Sequence, residues 1–220
     1  MNKPSIGHKE VAMLKNALLY VEQIREKELN TWYDDKYKYF CGESGFGLPE
    51  FPDNNLNQHY LASVDSKDEV LGLIRYTLDR GKRTIAYSFG VKSYAEGSAT
   101  FAEDALQAIE NIFMKYNADA MFWTVVDGNP VVKHYIKFCF YYGGRMCAYR
   151  KLDATDMYGN YRDSYTFELL RYNYMMQRKE DNEPLPTKWM KAIPKLDNRN
   201  DPFKISERLL HDGLNDWEVL

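Results

Sequence analysis

Apolar residues return along this chain with more than one period, and the changes of period mark out its elements. From Lys9 to Leu29, Leu14, Leu18, Val21 and Ile24 recur near the helical repeat with charges between them, which predicts an amphipathic helix. Trp32 to Phe40 reads as a second, shorter helix. Gly42 to Asn57 is rich in Gly, Pro, Asn and Asp and reads as a loop. Its Phe46, Leu48 and Phe51 are too apolar for an idle linker and are expected to pack on the domain or flank a substrate. The pattern then shortens. His59 to Val64, Glu69 to Leu78 and Thr84 to Val91 read as strands, with turn residues at 65–68 and 79–82 between them. Such close spacing predicts an antiparallel meander. Val70, Leu71, Leu73 and Ile74 break strict alternation, so both faces of the second strand should be partly covered.

Beyond the meander, Phe101 to Tyr116 reads as a helix with Ala105, Ile109, Ile112, Phe113 and Tyr116 on one side. Glu103 and Asp104 suit its positive end, and Asn117 is a fitting stop. Ala120 to Val126 is a nearly continuous apolar run, as a buried and parallel central strand requires. Asn129 is a good helix cap and Pro130 a good first helical residue, opening a helix that reaches about Phe138. Gly143-Gly144 turns the chain into a hairpin, Arg145 to Leu152 and Ser164 to Tyr172, joined by the polar loop Asp153 to Asp163. After Tyr174 the composition shifts, and Arg178 to Pro184 is linker-like. The tail keeps Trp189, Ile193, Phe203, Leu209, Leu210 and Trp217, more large apolar groups than a disordered segment carries. Residues 1–174 therefore read as one domain. Residues 175–220 read as an extension, with a short helix at Phe203 to His211, that docks on the domain or on a second subunit of a homodimer.

Composition narrows the classes. The chain has 220 residues, enough for a substantial core, and a formal net charge of -3. With a pI of about 5.9 there is no basic excess to suggest nucleic acid, and the balance suits a cationic substrate. No apolar run is long enough to span a membrane, and Met1 to Ser5 lacks the apolar segment of a secretion signal. Cys41, Cys139 and Cys147 form no CxxC pair, so free thiols in a reducing cytoplasm are expected. Cys139 and Cys147 stand in apolar-aromatic surroundings and read as core residues rather than nucleophiles. There is no HExxH, no Walker A sequence and no Cys/His cluster, so no metal site is expected.

Candidate chemistry lies between Tyr94 and Phe140. Tyr94-Ala95-Glu96-Gly97-Ser98-Ala99 is a glycine turn before a helix, where free N–H groups and the helix dipole favour an anion. One strand further on comes Asn129, and then Tyr135 in Tyr-Ile-Lys-Phe-Cys-Phe. A phenol there is a proton donor for a leaving group.

The order of elements over roughly residues 9–172 resembles the Gcn5-related N-acetyltransferase (GNAT) family. Two segments carry the likeness. The family's pyrophosphate loop, Gln/Arg-x-x-Gly-x-Gly/Ala, is matched by Gly97 and Ala99, with Tyr94 where a basic or amide residue is usual. The family's Asn, followed by a helix ending Tyr-x-x-x-Gly-Phe, is matched by Asn129, Tyr135 and Phe140, with Cys139 in place of Gly. The resemblance implies an α/β (α+β) fold: a mixed, mostly antiparallel sheet of about six to seven strands flanked by helices. It implies acetyl-CoA as co-substrate and a primary amine, on a small molecule or a protein, as acceptor. Tyr94, Gly97, Ser98 and Ala99 would receive the pyrophosphate, and Asn129 the pantetheine arm. Phe89 and Val91, through the main chain of a fourth strand splayed from its neighbour, would meet the same arm. Tyr135 would be the general acid that protonates the leaving thiolate. The family's usual strand carboxylate is missing between Ile85 and Val91. Asp79, Asp127, Glu168, His59 and His134 stay open as bases. A non-catalytic CoA-binding or partner-binding module of the same fold is the alternative, and a sheet without a splayed fourth strand would point to an unrelated fold.

Overall fold

The computed structural model describes residues 13–31, 34–39, 57–81 and 83–181. Its elements are β1 (Met13–Asn16), α1 (Val21–Thr31), β2 (Gln58–Val64), β3 (Val70–Arg80), β4 (Thr84–Ser93) and α2 (Ala99–Met114), followed by β5 (Ala120–Val126), α3 (Val132–Tyr141), β6 (Arg145–Thr155), β7 (Tyr161–Leu170) and α4 (Arg171–Asp181). The strands form one seven-stranded sheet in the order β1-β2-β3-β4-β5-β7-β6. Only β4 and β5 pair in parallel; every other pairing is antiparallel. This is the mixed, mostly antiparallel sheet that the family resemblance implied.

Alternation along the strands separates two cores. Ala62, Val64, Val70 and Leu73 meet Ile24 of α1 on one face. On the other, Ile74, Leu78, Met121, Trp123 and Phe167 join α2 and α3 in the larger core. Helix α4 closes that core through Tyr174, which stacks on Phe113 at 4.6 Å and donates its hydroxyl to Glu110. Arg178 holds the same carboxylate at 2.6 Å.

Several boundaries differ from the sequence reading. The first helix is shorter than Lys9 to Leu29. Residues 13–16 pair with β2, and the Asn16 side chain accepts from Leu18 N at 3.0 Å to start a 3-10 turn. Of the helical-period residues there, Leu18 is exposed and only Ile24 is fully buried inside a helix. Between Trp32 and Phe40 the helical part is one 3-10 turn, Asp35–Tyr37. The expected Asp153–Asp163 loop is mostly strand, because Ala154 and Thr155 pair with Arg162 and Tyr161. The true turn is tied by Asp156, which accepts from Tyr158 N and Asn160 N at 3.0 Å and from Arg162 at 2.9 Å. Burial opposes that charge, but these donors prevail and hold the carboxyl at about 2. Arg178 lies in α4 rather than in a linker. Cys139 is buried, whereas Cys147 is exposed and is not a core residue. Cys41, Lys82, the aromatic loop at 42–56 and the extension beyond 181 lie outside the described residues.

Candidate active site

The parallel ladder between β4 and β5 is very short. Ile85 pairs with Ala120 and Ala86 with Met121, and there the pairing stops. Residues 88 and 89 of β4 face the single residue Tyr76 of β3, with Ser88 at a φ of 53°. Such a bulge bends a strand and re-aims its edge. Beyond it the β5-facing edge of β4, which includes Phe89 and Val91, has no strand partner among the described residues. Phe89 and Val91 turn their side chains into the core, so they offer main chain to the opening. Tyr87 and Phe122 stack at 5.6 Å where the strands part. The splay expected of the fourth strand is therefore present.

At the open end, residues 94–99 lead into α2. Gly97 has a φ of 66°, and a Cβ built on it would meet nothing within 4 Å. Its glycine is thus required by backbone conformation, and the space over it is free. The Ser98 hydroxyl caps α2 by accepting from Phe101 N at 3.2 Å. Tyr94 N and Ala95 N both donate to Leu71 O. The N–H groups of Glu96, Gly97, Ser98, Ala99 and Thr100 have no backbone partner among the described residues. Tyr94 itself turns away from this turn. Its hydroxyl donates to Glu28 at 2.5 Å, while Lys92 pairs with the other oxygen of that carboxylate at 2.6 Å. Burial, reinforced by Glu28, pushes the Tyr94 phenol up. Both donors of Tyr94, its hydroxyl and its N–H, are thus engaged away from the turn.

On the far side of the opening, Asn129 leads into α3. Its side chain accepts from Val131 N at 3.0 Å and its carbonyl from Val132 N at 3.0 Å. It is a helix lead-in, with the regular helix beginning at Val132. Tyr135, on the first turn of α3, is half-buried and packs edge-on to Trp123 at 6.1 Å. Burial alone pushes its phenol up, so the group keeps its proton at neutral pH. Cys139, where the family has Gly, fits because Gly144 faces it: a Cβ at 144 would lie 2.6 Å from the thiol sulfur.

The structure also sorts the candidate bases. Asp79 pairs with Ile85 at the closed end of the ladder and accepts from Gly81 N. Glu168 is held by Arg145 at 2.5 Å. His59 is stacked on Tyr76 at 4.8 Å, and burial together with Arg80 and Lys115 pulls its pKa down. His134 is exposed on α3. Asp127, directly after β5, is the carboxylate of this set at the open end, and it accepts from the Tyr165 hydroxyl at 3.1 Å.

Sequence reasoning missed what crosses that end. Tyr37 donates to Ser93 O at 2.9 Å at the end of β4, and Tyr39 lies over Gly128, just past β5. Met157 N donates to Lys38 O at 2.9 Å, and Tyr158 donates to Asp35 at 2.9 Å. Residues 34–39 thus form a strap from β4 to the β6–β7 turn. Beside it Tyr149 donates to Asp163 and packs at a tilt against Tyr165, 5.4 Å between ring centres. The clue was the density of Tyr and Asp at 34–39, which had been absorbed into a helix.

The strand order, the parting of the two parallel strands and the flanking helices make a GNAT-like fold. Solved structures agree on the fold. A spermidine N-acetyltransferase from Vibrio cholerae, solved with CoA and spermine, is similar with a TM-score of 0.55 and 15% identity, covering 74% of this chain and 98% of its own. A GCN5-related N-acetyltransferase from Brucella melitensis is similar with a TM-score of 0.55 and 13% identity, covering 80% and 85%. No family model matches the chain, and no curated protein matches its sequence. Among the described residues no helix is long and apolar enough to cross a membrane, and no group of His, Cys, Asp and Glu could hold a metal ion.

Proposed function

We propose that the protein is an acetyl-CoA-dependent N-acetyltransferase that modifies a primary amine. The observation that carries this reading is the parting of β4 from β5 after Ala86 and Met121, between the free amides at 96–100 and Tyr135. The pyrophosphate would lie on those amides and on the positive end of α2. The pantetheine arm would run along the unpaired edge at Phe89 and Val91 and past Asn129. A neutral amine nitrogen attacks the thioester carbonyl carbon, and the C–S bond breaks as the intermediate collapses. The sulfur takes the Tyr135 proton, and the proton shed by nitrogen passes to water or to Asp127. Holding both reactants in one cleft supplies much of the rate.

The acceptor would lie among Tyr37 and Tyr39 of the strap, Asp127 after β5 and Asp163 of the hairpin. Phenols and carboxylates suit an ammonium-bearing acceptor. The Vibrio neighbour solved with spermine makes polyamines the first amines to try. The test is a screen of polyamines, aminoglycosides and lysine peptides for thiol release, with Tyr135→Phe as control. The variant should lose about 10²-fold in kcat with little change in KM. Equal turnover by wild type and variant would remove Tyr135 from the acid role. The second reading, a CoA-binding module without turnover, rests on Tyr94 standing in for the basic residue and being tied to Glu28. It predicts that acetyl-CoA binds but releases no thiol with any amine.

A further inference from the structure

Trp123 is a deeply buried residue of the larger core, only 1% exposed, yet its indole Nε1 has no hydrogen-bond partner among the described residues. Buried indole N–H groups nearly always have one. The place of this orphan is specific. Trp123 lies on β5 two residues past Met121, the last to pair with β4. Its ring is held by Tyr135 at 6.1 Å, Phe138 at 6.1 Å and Phe167 at 5.5 Å. Among the described residues nothing hydrogen-bonds the Tyr135 hydroxyl either. Two donors without acceptors therefore stand side by side where the sheet opens.

We propose that the Trp123 indole N–H is a binding donor of this cleft, and that its acceptor is a carbonyl oxygen of the acyl-CoA arm. The inference rests on the acyl-CoA reading of the site. The arm carries amide carbonyls along the pantetheine and one thioester carbonyl next to the sulfur. Any of them satisfies the indole, and the two classes are separable by ligand. Trp123 makes no proton transfer; it fixes the arm beside Tyr135.

The chain has four tryptophans. Replacing Trp32, Trp189 and Trp217 by Phe leaves Trp123 as the one indole in a proton–nitrogen NMR spectrum. Wild type, with its indoles sorted by single Trp→Phe variants, is the second preparation should that variant misfold. Each is titrated with CoA and then acetyl-CoA, with calorimetry in parallel. The expected result is a downfield move of the Trp123 resonance, saturating with the binding heat. Movement with both ligands assigns a pantetheine carbonyl; movement with acetyl-CoA alone assigns the thioester carbonyl. Trp123→Phe should weaken binding on the order of tenfold, the usual worth of one hydrogen bond. Saturating heat with an unmoved indole overturns the proposal. So does a resonance shifted upfield in the free protein and unmoved by ligand, which places the N–H over the Phe138 ring. Absence of heat removes the acyl-CoA reading and this proposal with it.

Discussion

Asp104 shows how one residue sets a pH response. Its carboxyl is 1% exposed on α2 and accepts from the Ser63 hydroxyl at 2.6 Å. Burial raises its pKa from 3.8 to about 6; the Ser63 bond opposes this and Glu103 adds to it. A carboxyl raised in the folded state binds more protons folded than unfolded between those values. Its contribution to stability is therefore complete below pH 3.8, falls as pH rises to about 6, and stays low above. Asp104→Asn should melt higher than wild type at pH 7 and lose the part of the decline that lies between pH 4 and 6. Calorimetric melting across that range checks it, and an unchanged slope contradicts it. Gly144 makes a purely steric point. A Cβ there meets the Cys139 thiol at 2.6 Å and Glu168 O at 2.7 Å. Gly144→Ala should cost about 1–3 kcal/mol of overpacking, read as a lowered denaturant midpoint, and Cys139→Gly in the same chain should recover part of it.

Elements show where pattern reading succeeds and where it cannot. The second to fifth strands were legible because turn residues bracket each apolar run. Strand β5 was found at Ala120–Val126 without error. Strand β1 was not, because its four residues lie inside a helical-period pattern and are strand only by pairing with β2. Helix α4 was missed because it is polar except for its anchors, and Tyr174 identifies it only once Phe113 and Tyr142 are in place. The strap at 34–39 was hidden for the same reason: Tyr37 and Tyr158 find partners 56 and 123 residues away. If the strap shapes the acceptor side, Tyr37→Phe should raise the acceptor KM several-fold and leave acetyl-CoA affinity unchanged, as paired kinetics and calorimetry would show. The buried Glu28, which joins α1 to β4 through Lys92 and Tyr94, should matter more to folding. Glu28→Ala removes the carboxylate that Lys92 and Tyr94 share and should destabilise by about 3 kcal/mol, measured by chemical denaturation.

At the scale of the molecule, the glycine turn, Asn129 and Tyr135 were all visible in sequence, because each is local. What brings them together is not local. The opening depends on a bulge at Ser88 facing Tyr76, and on a parallel ladder that ends after Ala86. The orphaned Trp123 donor is likewise invisible without its packing. Choosing among candidate carboxylates also needed the fold, since only register shows that Asp79 lies at the closed end and Asp127 at the open one. The account rests on the open end receiving an acyl-CoA. Titration of the whole chain with acetyl-CoA by calorimetry, beside Gly97→Glu, is the most direct test. A glutamate at Gly97 must adopt a left-handed conformation and sets a negative charge beside the free amides. The expected result is saturable binding by wild type at micromolar concentration and its loss in a Gly97→Glu chain that still melts cooperatively. Folded wild type that takes up no acetyl-CoA, or a variant that binds equally well, would contradict it.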